Sequence, residues 1–531
     1  MSSYGSSSRS AGFVGGIFAL AAVIGIGWLF WWVWGPTVAH TFGASWRGGW
    51  LFLLGVVLVI GLALVATFIY EQSPGLAVVA IIAALGITAV VITGWVRINY
   101  DTGHKYAEDI KKSSETVSYD QRVPYEVAQA SASQNMKNVT GELQESKHLA
   151  DAGEHGTWDA LVIRRGWAQG YEAVQTLNAP LFGSVNDKDA SFCKFNRDAQ
   201  LRIGGGLPHN NLSKAALSKV PLNVNFDRSD VYAYCDGNAP LVVVPMKQVS
   251  GWYAPTWKAW GIVVYNGKTG ALNAYNKVSD VEKFEGPTYP ISLAAQQRDG
   301  LDSTGSFSDH WFKRVGYNAS SDNPDAQLRV YDSTDSAYVT ALNPKGSSQS
   351  IVGTVSVDSK FTGSGKRNPL ELDTLGNSHT LPSINSQQQT IGNTYSNLNG
   401  FAVSPDKGGY EFYEIVPGKN GAWTASIGRN LSILYRATVE VKDGSTVVTL
   451  YDANGDKVDG LGNGSTDQSE GNTNDSDNGG TVTVPLPEGA KSLSDLSDAQ
   501  LQELGQNVIK ELGKRANQTP EATASATPAG K

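Results

Sequence analysis

The residue groups in this chain that could do chemistry are few, and each lacks a part. Gly363-Ser364-Gly365-Lys366-Arg367 has the glycines and the lysine of a phosphate-holding loop, in which backbone N–H groups and an ammonium surround the anion. The glycine needed five positions before Gly365 is Lys360, and Arg367 stands where a magnesium-binding Ser or Thr belongs. A turn is expected there. Asp452-x-Asn454-x-Asp456 spaces its oxygens as a calcium loop does. Lys457 takes the glycine position and Asn463 that of the bidentate glutamate, so a hairpin turn is expected. Ser308-Asp309-His310 contains the residue types of a hydrolase triad, but sequence neighbours cannot line up as nucleophile, base and orienter, and no GxSxG is present. The seven histidines form neither an HExxH nor a close pair, so zinc is not expected. No catalytic residue, cofactor or metal is assigned on these grounds.

Two candidate sites remain. Cys193 and Cys235 lie 42 positions apart. A bridge between them would close a loop worth about 4 kcal/mol in the chain-entropy model, and it would hold only outside the cytoplasm; two ordinary thiols are the alternative. The second candidate is an aromatic binding surface between Gly251 and Gly261, where Trp252, Tyr253, Trp257 and Trp260 crowd around Lys258. Rigid aromatic faces offer contact area at small entropic cost. The same rings could instead fill a β core.

The elements that must position these residues divide the 531-residue chain sharply. Residues 1–98 hold only Arg9, Arg47, Glu71 and Arg97 as charges, and the rest carries 39 basic against 49 acidic groups. That acidic balance argues against a nucleic-acid partner, which would select a basic face. Three uncharged runs, Gly12–Trp34, Trp50–Tyr70 and Leu76–Val96, are 23, 21 and 21 residues long. As helices they reach about 31–34 Å, enough for a hydrocarbon core of about 30 Å. Trp28, Trp31, Trp32, Trp34, Trp46, Trp50, Tyr70 and Trp95 mark their ends, as interfacial rings do. Residues 1–98 therefore read as three transmembrane helices. Gly12 and Gly16, and Ala80, Ala84 and Thr88, offer small-residue faces for self-association.

Residues 99–150 read as a helical stalk and 151–358 as an α+β domain that opens with a helix over Trp158–Leu177. From Pro221 to Asp459 short β-branched and aromatic runs alternate with turn dipeptides, giving a large, mainly antiparallel β domain. Within it, 359–400 reads as a loop-rich insertion and 401–460 as an antiparallel β unit. Residues 461–485 read as a flexible acidic linker, 486–515 as an amphipathic helix opened by Ser497-x-x-Gln500, and 516–531 as a disordered tail.

The fold class is thus α+β with a three-helix membrane anchor, a stalk, a β domain and a C-terminal amphipathic helix. Its partners would be the lipid bilayer and either a protein or a second copy, met through the transmembrane helices and the C-terminal helix. Arg47, Arg97, Lys105, Lys111 and Lys112 against Arg9 place the large portion in the cytoplasm by charge counting, whereas a paired Cys193 and Cys235 would place it outside. The function expected is binding or scaffolding at the cell membrane. A membrane enzyme with dispersed carboxylates and an oligomeric channel are the alternatives.

Overall fold

The computed structural model describes most of residues 8–460, with short breaks of which 201–210 is the longest, and gives residues 8–22 as backbone only. The chain divides into units 1–463 and 464–531. The expected acidic linker, amphipathic helix and tail lie outside the described residues.

The molecule is α+β, with two long helices and a large β body. Helix α1 runs Ser8–Tyr70 and helix α2 runs Pro74–Ala107. Among the described residues, α2 alone is long and apolar enough to cross a bilayer, with shorter apolar stretches at Val23–Trp32 and Leu53–Phe68. The first two uncharged runs are therefore not separate helices: both lie on α1, which continues through the polar residues between them and carries Pro36 inside. That middle stretch stays helical because one side is covered, with His40 and Ala44 buried. The second half of α1 packs on α2 with its backbone close. A Cβ at Gly55 would lie 2.2 Å from Val91 Cγ2, so only glycine allows that approach.

Among the described residues four sheets build the body, and their pairing is antiparallel except where Ile110–Lys112 runs parallel to Leu370–Leu372. In one sheet, Ala239–Ser250 pairs with Thr256–Asn266, which turns at Asn266-Gly267 into Leu272–Tyr275, as the turn dipeptide predicts. A meander of Glu411–Pro417, Trp423–Arg429, Ser432–Lys442, Ser445–Tyr451 and Lys457–Val458 forms another. The largest core joins Trp158, Leu177, Ile262, Tyr289, Leu342 and Leu372 from different sheets.

Some segments differ from their sequence readings. Trp158–Leu177 is not a helix but two antiparallel strands, Thr157–Ile163 and Tyr171–Leu177. Both are buried along nearly every position, and a strand covered on both faces loses the alternation that would mark it. Within 99–150, residues 99–107 prolong α2, Ile110–Lys112 joins a sheet, and Tyr125–Gln134 buries Val127, Ala128 and Ala132. Residues 359–400 contain the strand Leu370–Thr374 and the helix Ile384–Thr394, whose Ile384 and Ile391 enter a third core.

A buried charged group ties the sheets together. Arg122 Nη1 meets Glu414 Oε1 at 3.2 Å and Arg122 Nε donates to Leu328 O, while Arg436 Nη2 donates to the Arg122 carbonyl. Arg329, 1% exposed, donates to Asp120 O. Burial lowers Arg329 to about 9 and Arg436 to about 10, and the neighbouring Arg122 adds to both shifts.

Candidate functional site: the junction of the apolar helices with the β body

Each long helix is held to the body by polar contacts that its own sequence calls for. Pro36 has no N–H, so the carbonyl four residues earlier, that of Trp32, lacks its helical donor. Lys214 fills that vacancy: its ammonium donates to Trp32 O at 2.8 Å and lies 5.0 Å from the Trp32 ring. One turn on, buried His40 holds Nδ1 2.7 Å from the Val224 carbonyl, so this nitrogen carries the hydrogen. At Gly43 a Cβ would sit 2.7 Å from Leu222 O, and the missing side chain lets α1 lie against the body.

The end of α2 is embedded more deeply. Ile98, Tyr100, Tyr106 and Ala107 are buried in the body. Tyr100 Oη donates to Gly305 O at 2.6 Å, His104 Nδ1 lies 3.0 Å from Ser303 O, and Lys105 Nζ donates to Ala254 O at 3.0 Å. Tyr106 Oη accepts from Trp257 N at 2.8 Å, and burial raises its hydroxyl to about 12. Arg367 then closes the helix end. It donates to the Lys105 carbonyl at 2.9 Å and to Thr256 Oγ1 at 3.0 Å, pairs with Asp109, and stacks 5.1 Å from the Tyr106 ring. A cation suits the negative end of a helix dipole.

The residues singled out from the sequence are distributed differently from their chemical patterns. Gly363–Arg367 pairs with a strand, Gly365 N donating to Ala259 O and Lys366 O accepting from Ala259 N, and Arg367 is spent on α2. Asp452 Oδ1 accepts from Asn454 N and Asp456 N, which makes the triplet a hairpin turn. Asp309 pairs with Lys313 at 2.7 Å while His310 Nδ1 faces Asp302 O and Lys345 Nζ, so Ser308, Asp309 and His310 do not align. Among the described residues no three His, Cys, Asp or Glu converge on a common point.

Cys193 and Cys235 are joined as a disulfide beside the second core. The aromatic cluster separates into two pairs. Trp252 and Tyr253 are 62% and 51% exposed, whereas Trp260 is buried and Trp257 packs against the main core under the Lys247 ammonium. Strand alternation and the bulge between Ala259 and Gly261 turn the last two inward.

Burial raises the proton affinity of four carboxyls among the described residues, Asp159, Asp230, Asp358 and Asp373, and the two with the largest shifts are already engaged. Burial pushes Asp230 up to about 6 against the lowering effect of Lys247, and its oxygens accept from Ser292 N and Ser292 Oγ at the start of the helix Ile291–Asp299. Burial pushes Asp159 up to about 7, and Thr176 Oγ1 donates to it.

The contacts of Lys214, His40 and Arg367 were not legible in the sequence. The sole hint was Pro36 just past the first uncharged run, which takes the helical donor from the Trp32 carbonyl but does not say what replaces it. The chain matches no protein-family model, no curated protein and no solved structure.

Proposed function

We propose that this chain is a multi-pass membrane-anchored binding protein whose β body is fixed at the bilayer surface on the side away from the cytoplasm. The observation that carries the reading is the continuity of α2, which passes from its uncharged stretch into a last segment whose Ile98, Tyr100, Tyr106 and Ala107 are buried. An anchor built this way holds its cargo at a set height and angle, as a scaffold requires, where a flexible tether would let it swing.

The side of the membrane is argued from the disulfide, which persists in oxidising compartments. The cations that count toward the cytoplasm are weaker evidence, because several belong to the folded body: Arg97 pairs with Asp101, Lys105 with Ala254 O, and Lys111 and Lys112 lie in a sheet. In the three-span form of this proposal, the first run also enters the bilayer, which requires α1, here one continuous helix, to reverse direction at Gly35-Pro36. The run's 23 uncharged residues support a span, and the proline is where a helix breaks most easily. The apolar groove of about 590 Å³ between α1 and α2, lined by Gly55, Gly86 and Gly94, is where a further helix or a second copy would pack. The partner of the body is a protein or a second copy.

The test is topology mapping of the full chain in cells. It should remain in the membrane pellet after alkaline carbonate. With both native cysteines paired, a Lys268→Cys variant should react with an impermeant maleimide on intact cells. Release into the supernatant would refute the anchor, and labelling only after permeabilisation would put the body in the cytoplasm.

A further inference from the structure

Beyond α1 and α2, the exposed large aromatic side chains among the described residues are four: Trp252 and Tyr253 in one loop, Trp311 and Phe312 in the short helical loop Asp309–Lys313. Their exposures, 62%, 51%, 52% and 87%, are those of rings with most of their surface unburied by the fold. Scattered surface apolar residues need no explanation, but paired rings on two separate loops at one place do. Both loops converge on the same turn of α2. The Arg97 guanidinium lies 4.9 Å from the Phe307 ring, and Phe307 packs 6.2 Å from Trp311. Tyr253 lies close enough to Asp101 and Arg97 to feel their charges, and the neighbouring Ala254 carbonyl accepts from Lys105.

That turn follows directly on the uncharged run ending at Val96. At about 1.5 Å of rise per residue, Arg97 and Asp101 stand only about 2–8 Å beyond the end of the span. This is the depth of the headgroup layer, where tryptophan and other amphipathic rings are most stable.

Resting on the membrane-anchored reading above, we infer that the Trp252-Tyr253 and Trp311-Phe312 loops enter the headgroup and upper acyl region of the bilayer that α2 crosses. Their ligand is the lipid surface itself. Added to the spanning helices, the two loops give two further points of attachment, which set the tilt of the body as well as its height.

The experiment uses the full chain reconstituted into phosphatidylcholine–phosphatidylglycerol vesicles containing nitroxide-labelled lipid. A fluorescent probe is attached in turn at Phe312→Cys, Trp252→Cys, Val90→Cys and Lys268→Cys. Val90 lies within the span. Lys268 is exposed in the turn at the far end of the strand Thr256–Asn266, roughly 35 Å from Trp252 at about 3.3 Å per residue. The expected result is several-fold stronger quenching at 312 and 252 than at 268, with shallow nitroxides more effective than deep ones, and deep nitroxides more effective at 90. Probes at 312 or 252 that behave like the one at 268 while 90 is quenched would overturn the inference and leave the anchor standing. An unquenched probe at 90 would overturn the anchor itself.

Discussion

Asp159 makes the body sensitive to alkali in a way that one substitution should markedly reduce. The residue lies in the strand Thr157–Ile163, 3% exposed, with Thr176 Oγ1 donating to Oδ1 at 2.5 Å. Burial raises its carboxyl from 3.8 to about 7, and the negative charge of Glu285 adds to the shift. The unfolded chain therefore gives up this proton more readily than the folded one, and the fold is favoured by acid. The contribution is complete below about 3.8 and is lost as pH rises through about 7. At about 1.4 kcal/mol per unit the whole effect is about 4 kcal/mol, of which about 3 kcal/mol falls between pH 5 and 8. Asp159→Asn keeps the shape and the acceptor for Thr176, and its amide donates where the protonated acid would. Urea unfolding of the detergent-solubilised chain, followed by tryptophan fluorescence at pH 5 and 8, should show the parent losing stability over this interval. The variant should lose about 3 kcal/mol less. A parent whose midpoint does not move, or a variant with the parent's full slope, would refute the reasoning.

Two further substitutions test the packing of the body and its hold on α1. Glu414→Gln removes the carboxylate that faces Arg122 with Arg329 and Arg436 close by; the loss of stability in the same urea assay should be about 3–5 kcal/mol, the range for breaking a buried pair. Lys214→Met removes the hydrogen bond from Lys214 to the Trp32 carbonyl; it should lower stability by only about 1 kcal/mol, yet raise hydrogen exchange in residues 37–41 of α1, and Lys214→Arg should restore protection.

The junction shows why some of this was readable in advance and some was not. The hairpin at Asn266-Gly267 and the meander from Glu411 to Val458 have turn chemistry and strand patterns local enough to appear in the sequence. The pair of strands at Thr157–Ile163 and Tyr171–Leu177 does not, because covering both faces replaces alternation by a continuous apolar run that a helical period fits as well. Likewise Gly363–Arg367 had the residues of an anion loop, but its Arg367 is committed to a helix end 262 positions away in sequence.

Composition and spacing alone established the uncharged runs, the β-rich body and the failure of each familiar catalytic pattern, since these depend on neighbours along the chain. Which aromatic rings face outward, which carboxyls are pressed into holding protons, and how α1 and α2 grip the body were decided by the tertiary fold. Trp257 and Trp260 differ from Trp252 in what the sheets lay over them, and Lys214 matters only because folding brings it to a carbonyl whose helical donor Pro36 removed. Burial and long-range pairing are properties of the packed chain, and no local pattern encodes them.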